Sequence, residues 1–420
     1  MQNFEELEEF IKKNFKNKAW KDKLKKAPYN LQAVKDFEYH PNWTMLVYNL
    51  FESDLSNKIV KQCRGTVVEV LDDGTVNVIC APYLKFFDIN DVHADKINWA
   101  SKKLKCQDKI DGQLLKCFKY KGRDYWVTNG GTGLFTPIDY ETDTVKDYFD
   151  LVAAAIVADS PKSKTEIIKD NTGKRIDFHV DEDWINKIPD GWTLMFELTS
   201  PQNRIIVKYS EAKLWFHGAR DQWGIEHSPE EVAKMFNIPF AIPKRWDLNK
   251  PEDILEALSK MNGIANEGFV VVDEETWTRV KMKSPSYLNM KFVRDNDNPE
   301  GIWRLVISEQ HDDILPNAPE LKDKIEAQVN QLVEFNKKLD AEVAYAIDVW
   351  ENDSRHNRKH FAEFVNNQVK PALKNVYFSA IDGKPVVEQL KERMISSKKG
   401  YNEVYLPLKE ALGVKAEVKW

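Results

Sequence analysis

Lys109-Ile110-Asp111-Gly112-Gln113-Leu114-Leu115-Lys116-Cys117-Phe118-Lys119-Tyr120 is the stretch on which the rest of the chain turns. Lysine, aspartate and glycine stand directly before a strand-like run that turns near Lys121-Gly122 and continues to Val127. That pattern predicts a β-hairpin with the lysine at its start. A lysine becomes a usable nucleophile near neutral pH when neighbouring cations and desolvation lower its pKa. The glycine lets a ligand approach the backbone closely, and the aspartate can orient polar groups nearby. Lys-x-Asp-Gly alone is weak, since roughly one chain in twenty of this length would carry it by chance. Its surroundings must supply the meaning.

Outward from this point the texture is mixed. Residues 4–26 read as an amphipathic helix, with Phe4, Leu7, Phe10, Ile11 and Phe15 at helical spacing. From about Trp43 to Phe87 the pattern is strand-like, and Asp72-Asp73-Gly74-Thr75 predicts a hairpin between Thr66–Leu71 and Val76–Cys80. Residues 140–157 and 229–261 are expected to be helical, the second behind Ser228 as N-cap. Trp192–Phe196, Arg204–Val207, Phe269–Asp273 and Thr278–Met282 are expected strands. Beyond Tyr287 helical patterns such as Leu321–Ala344 dominate. The expectation is an α+β fold: a domain of antiparallel sheets with helices over residues 1–290, then an all-α domain over 291–420.

Bulk properties narrow the class. The chain has 420 residues, 42% apolar and 30% charged, enough for two or three domains of a globular protein. No apolar run approaches the ~20 residues of a membrane span, and the acidic start Met1-Gln2-Asn3-Phe4-Glu5-Glu6 lacks the form of a signal peptide. No membrane association and a cytoplasmic location are expected, the host cytoplasm if the chain is viral. Cys63, Cys80, Cys106 and Cys117 form no CxxC pair and read as small buried hydrophobes. A net charge of −6 argues against coating nucleic acid by global charge, but leaves room for a local basic groove. The lysines between Lys12 and Lys26 are most simply a solvated helix face.

The chemistry lies in an ordered set. Cys63-Arg64-Gly65-Thr66 puts an arginine at a strand entrance, and Lys85-Phe86-Phe87 puts a lysine beside paired aromatics. Met195-Phe196-Glu197-Leu198 follows, then Glu267-Gly268-Phe269-Val270 and Lys281-Met282-Lys283. In a strand, residues two apart share a face, so Lys281 and Lys283 would point together, as two cations clamping one phosphate must. Glu197 and Glu267 could bind ribose hydroxyls or metal-bound water.

In this order the set resembles the covalent nucleotidyltransferase superfamily of polynucleotide ligases and capping enzymes, and within it the phage-type RNA ligase 1 (tRNA-repair) family. Tyr48-Asn49, the run from Phe196 through Pro201 to Arg204-Ile205, and Tyr287 after Lys283 carry the narrower likeness. The resemblance implies an ATP-dependent RNA ligase using Mg²⁺ or Mn²⁺. Lys109 would take AMP from ATP, pass it to an RNA 5′-phosphate, and a 3′-hydroxyl would then expel it. Asp111, Lys281 and Lys283 would be catalytic with Lys109. Tyr48, Arg64, Lys85, Phe87, Gly112, Glu197, Glu267, Lys281 and Lys283 would hold the nucleotide, and Glu267 and Asp312 the metal. The implied partners are RNA ends, cleaved tRNA or single-stranded DNA, handled by a monomer in RNA or tRNA repair. The helical domain would choose the RNA.

One departure stands out. The family's basic residue after the strand following the nucleophile falls at Asn129, which is uncharged. A DNA ligase or an mRNA guanylyltransferase would normally continue into an OB-fold barrel, where this chain reads as helical. A non-catalytic RNA-binding relative would not need Lys109.

Overall fold

The computed structural model describes residues 4–138, 142, 145–263, 265–295, 298–308, 321–353, 357–397 and 399–414. The chain forms two compact units, Met1–Tyr287 and Leu288–Trp420. The first is mixed α+β. Its strands are β1 (Ala33–Phe37), β2 (His40–Val47), β3 (Arg64–Val70), β4 (Val76–Cys80), β5 (Phe87–Asp88), β6 (Leu104–Lys109), β7 (Gln113–Tyr120) and β8 (Arg123–Thr128). They continue with β9 (Lys164–Lys169), β10 (Arg175–Asp181), β11 (Thr193–Thr199), β12 (Lys213–Arg220), β13 (Glu226–His227), β14 (Arg245–Trp246), β15 (Gly268–Asp273) and β16 (Thr278–Lys283).

They assemble as a four-stranded sheet β1-β2-β3-β4, a hairpin β9-β10, and two five-stranded sheets, β13-β12-β11-β7-β8 and β14-β6-β15-β16-β5. Pairing is antiparallel apart from β5 beside β16. Lys109 ends β6 in one five-stranded sheet and Gln113 begins β7 in the other. Ile110-Asp111-Gly112 is therefore the crossing between them. Only glycine fits its last position: a Cβ on Gly112 would lie 2.4 Å from the Leu198 carbonyl oxygen.

Buried Asp111 fixes this crossing. One carboxylate oxygen accepts from the backbone N–H groups of Ile206 and Val207 at 2.7 and 2.8 Å, and the other accepts the Tyr287 hydroxyl at 2.7 Å. This explains a correction. Arg204–Val207 is not a strand, because its amides serve the aspartate instead of a neighbouring ladder.

Other expected elements shift for local reasons. The N-terminal helix is Glu5–Lys13, followed by a 3₁₀ turn and a short helix Ala19–Leu24 after left-handed Lys18. The segment 229–261 splits into Pro229–Phe236 and Pro251–Ser259, because Asn237 turns left-handed and prolines follow at 239 and 243. A helix within 140–157 begins at Tyr148, where Asp147 caps it by accepting from the Asp150 amide. Both expected hairpins form, β3–β4 and β7–β8.

Phe118 and Val127 pack with Met45, Val67 and Cys80 between the first sheet and β7–β8. The helices at 148–159 and 229–236 cover the β11-containing sheet, and Pro251–Ser259 covers the β15-containing one. All four cysteines are buried and free. In the second unit every described element is helical, the longest being Lys322–Glu351. It has its own core around Trp303, Phe335, Phe361 and Tyr405. No described helix is long and apolar enough to cross a membrane.

Candidate active site

Strand register brings together residues far apart in sequence. Gly268 pairs with Lys109 on one side and with Lys283 on the other, so β6, β15 and β16 carry both lysines on one row across the sheet. Glu267, just before Gly268, reaches both. Its carboxylate accepts from the Lys109 ammonium at 2.6 Å and lies 3.3 Å from the Lys283 ammonium. Lys281 stands one step along the same face of β16, paired with Val270.

This face forms one wall of a cleft of about 380 Å³. Lys109, Gly112, Lys281, Tyr48, Arg64 and Glu197 line it, with Glu197 projecting from β11 and Arg64 from the start of β3. The Arg64 guanidinium lies 5.1 Å from the Phe86 ring centroid, and the Lys281 ammonium lies 5.5 Å from the same ring. Lys85 lies over the Tyr48 ring at 5.3 Å.

Burial and charge act against each other here. Burial alone would lower the Lys109 pKa, but the Glu267, Glu197 and Asp111 carboxylates outweigh it and the ammonium is held above its ordinary value. The lowering expected of a nucleophilic lysine is thus not found here. Lys281 goes the other way: burial, then the neighbouring Lys85, Lys109 and Lys283 charges, bring it to about 7 against opposition from Asp88. Burial also raises Glu197 to about 7.

Three buried polar atoms in the cleft wall, Arg64 Nη1, Asn129 Oδ1 and His217 Nε2, have no hydrogen-bond partner among the described residues. Buried polar atoms are costly to leave unpaired, and such a trio marks a wall shaped for a polar ligand. Together with the Lys281 cation, the wall suits a phosphate-bearing, hydroxyl-rich molecule.

Not every expected site residue lines this space: Lys85 contacts its wall through Tyr48 and Glu267 through Lys109, while Lys283 meets Glu267, and none of the three is part of the lining. Asp111 is held by the crossing it organises and does not line the cleft. Phe87 lies in the core on the other face of its strand, and Phe86 fronts the cleft. Asp312 lies outside the described residues. Asn129 does line the cleft, and a buried lysine lies close by: Lys116 donates to the Gly65 carbonyl oxygen at 2.8 Å. A Cβ on Gly65 would fall 2.0 Å from the Lys116 ammonium nitrogen and 2.5 Å from the Asn129 carbonyl oxygen, so only glycine, at φ +76°, lets them converge.

Sequence reasoning also missed His217, Gln107, Tyr83 and Arg279, which complete the walls. Arg279 had an available signal, since it continues the alternating row Lys283, Lys281, Arg279 on β16. His217 had none. It lies 3.7 Å from Glu197, beyond hydrogen-bond reach, and burial holds its imidazole neutral at about 3.

The sequence model of an RNA ligase family, that of phage T4 RNA ligase 1, matches residues 62–287, more than half of the chain and all of the cleft's elements from β3 to β16. The chain belongs to this RNA ligase family. It is 27% identical over 347 residues to a protein of Autographa californica nuclear polyhedrosis virus named as a bifunctional polynucleotide kinase/RNA ligase. That match covers 79% of this chain and 44% of the viral protein, so the chain spans less than half the length of that relative. It is 21% identical to an RNA ligase of Rhodothermus phage RM378, over 79% of this chain and 84% of the phage protein. Among solved structures, a Naegleria gruberi RNA ligase with ATP and Mn overlaps 45% of this chain and 51% of its own, at 12% identity and a TM-score of 0.30. That overlap is loose, and the family rests on the sequence match.

Proposed function

We propose that this chain is an ATP-dependent RNA ligase that joins 5′-phosphate and 3′-hydroxyl ends of RNA through a lysyl-AMP and an adenylylated RNA. The first unit would be the nucleotidyltransferase domain, and the helical second unit would select the RNA. One observation carries the reading: Lys109, Glu267 and Lys283 converge across three adjacent strands, and Lys109 stands on the wall of a cleft whose buried arginine, asparagine and histidine atoms lack partners among the described residues.

In this reading the adenosine lies between the two five-stranded sheets, with Glu197 and Tyr48 beside it. Lys281 and Lys283 hold the α-phosphate and offset the negative charge that builds up during transfer. Arg64 brings an unpaired donor to the same side. The Lys109 amine attacks the α-phosphorus, the bond to the pyrophosphate oxygen breaks, and the amine proton leaves with solvent or base. Glu267 has two tasks. Before nucleotide binding it holds Lys109 in place and protonated; with its charge engaged elsewhere, burial and the nearby cations turn the lysine towards its neutral, nucleophilic form.

A divalent cation, Mg²⁺ or Mn²⁺, would neutralise phosphate charge in this site. Among the described residues no group of three or more Asp, Glu, His or Cys could hold a metal ion alone. Glu267, a buried carboxylate beside the reacting amine, is the residue that would help hold such a cation. The same reading makes the enzyme a cytoplasmic monomer of RNA or tRNA repair, with Asp312 as a further metal-site candidate.

The test is direct. Incubation with Mg²⁺ and α-labelled ATP should give an acid-labile, alkali-stable protein adduct that Lys109→Ala abolishes. Absence of label from both ATP and GTP would falsify the reading, and label from GTP alone would point to a guanylyltransferase. Circularisation of 5′-phosphorylated single-stranded RNA against DNA then identifies the polymer.

A further inference from the structure

A second cavity of about 460 Å³ opens on the first unit, larger than the nucleotide cleft and built from different residues. Its walls come from β1 and the β1–β2 turn, the outer part of β8, the loop after it, and the β9–β10 hairpin. None of the site residues expected from the sequence lies in it.

The two cavities meet at one short loop. Asn129 lines the nucleotide cleft, while Gly131 to Gly133 line the second cavity. Lys35 on β1 spans the join by donating to the Gly130 carbonyl oxygen at 2.8 Å. The same loop therefore borders both spaces, which makes the groove a neighbour of the cleft that holds Lys109.

The lining suits such a strand. Lys35, Arg123, Lys174 and Arg175 line it with Glu38 and Asp177; Glu38 pairs with Lys174 and Asp147 and Asp150 pair with Arg175, which leaves Lys35 and Arg123 without an ion pair among the described residues. Lys174 and Arg175 are held in place by Glu38 and Asp147 and lie over aromatic rings, Lys174 over Tyr39 at 5.6 Å and Arg175 over Phe135 at 4.8 Å. Arg123 is exposed and makes no ion pair among the described residues. Groove cations with aromatic side chains between them are how single-stranded nucleic acid is held without regard to sequence. A protein partner would more often be met by a drier, less basic surface.

We propose that this groove holds the single-stranded RNA adjoining the end at Lys109, with Arg123 and Lys35 on its backbone and Tyr39 and Phe135 against its bases. The proposal rests on the reading of the chain as an RNA ligase, and it gives that activity a polymer path that the nucleotide cleft alone lacks.

The test uses the full chain and the variants Arg123→Glu and Tyr39→Ala, neither of which lines the nucleotide cleft. Three quantities are read: labelling by α-labelled ATP, binding of a fluorescent 5′-phosphorylated 12-nucleotide RNA by anisotropy across a salt series, and sealing of pre-adenylylated RNA. Arg123→Glu should keep labelling within about twofold, weaken RNA binding about tenfold or more, slow sealing to match, and flatten the salt slope by roughly 0.7, the value of one lost single-strand phosphate contact. Tyr39→Ala should weaken RNA binding with an unchanged salt slope. It also serves if the charge reversal unfolds the protein in a thermal melt. Wild-type RNA affinity and salt slope in folded, label-competent variants would overturn the groove and leave the ligase reading intact. No label on the wild-type chain would instead defeat the ligase reading, whatever the groove binds.

Discussion

Lys281 sits where two tendencies collide. Its ammonium is buried beside Lys85, Lys109 and Lys283, which brings it to about 7, yet its proposed task is to hold a phosphate as a cation. A phosphate placed against it restores the higher pKa, so nucleotide binding takes up a proton. Affinity should then fall as pH rises above 7, where the free site has lost the proton that the bound site keeps. Calorimetric titration with ATP at pH 6.5 and 8.5, in buffers of different ionisation enthalpy, should show proton uptake and weaker binding at the higher pH. Lys281→Met should remove both the uptake and most of the affinity.

Lys116 poses a different residue-scale question. Burial is the first cause lowering it from 10.5 to about 8; Arg64 adds to the fall and Cys80 opposes it. Because the folded value lies below the unfolded one, the unfolded chain binds more protons between those limits, and stability rises with pH across that window. Lys116→Met should flatten the dependence of Tm on pH between about 8 and 10.5. It should also leave the protein at least as stable at pH 7, since a buried charge is replaced by an apolar chain of similar length. If Lys116 is the cation that compensates for Asn129, the same variant should bind ATP more weakly despite its stability, which a purely structural lysine would not do.

At the scale of elements, alternation along a strand decides which side chain does chemistry. Phe86 and Phe87 are chemically identical neighbours. One lies against Arg64 and Lys281 on the cleft, and the other is buried under the N-terminal helices. Phe87→Ala should cost about 3–5 kcal/mol of stability, read by denaturant unfolding. Phe86→Ala should cost far less stability and raise the KM for ATP several-fold. The sequence singled out this pair and expected Phe87 at the nucleotide, whereas Phe86 is the member that lines the cleft; a two-residue strand is too short to show its phase. The row Lys281–Lys283 was legible since the strand around it alternates over six residues. Arg204–Val207 was misread for a related reason. An Ile-Ile-Val run looks like a strand wherever it occurs, and only the distant Asp111 carboxylate, invisible in local sequence, claims its amides. His217 was out of reach altogether, since its meaning comes from the pairing of β12 with the strand that carries Glu197.

For the whole molecule, the consequential fact is that each unit closes its own apolar core, one around the sheets and one around Trp303, Phe335 and Tyr405. In the proposed scheme adenylylation draws on residues from Tyr48 to Lys283, all in the first unit, with the metal-site candidate Asp312 alone outside it. The boundary itself is less clean than the cores, because the helix Pro285–Asp295 begins in the first unit and Tyr287 within it donates to Asp111. A chain ended at Tyr287 would fray the turn of helix that orients this hydroxyl, whereas one ended after Asp295 keeps it. The longer truncation should label itself with AMP at a rate within about tenfold of the full chain. The shorter one should be less stable, and Tyr287→Phe in the full chain should show part of the same loss. If the helical unit selects RNA, the 1–295 chain should seal a generic single-stranded oligonucleotide and a nicked anticodon stem-loop at similar rates, while the full chain favours one of them. An unchanged preference in the truncated chain would return substrate choice to the sheets, where the Arg123 groove is the surface that could carry it.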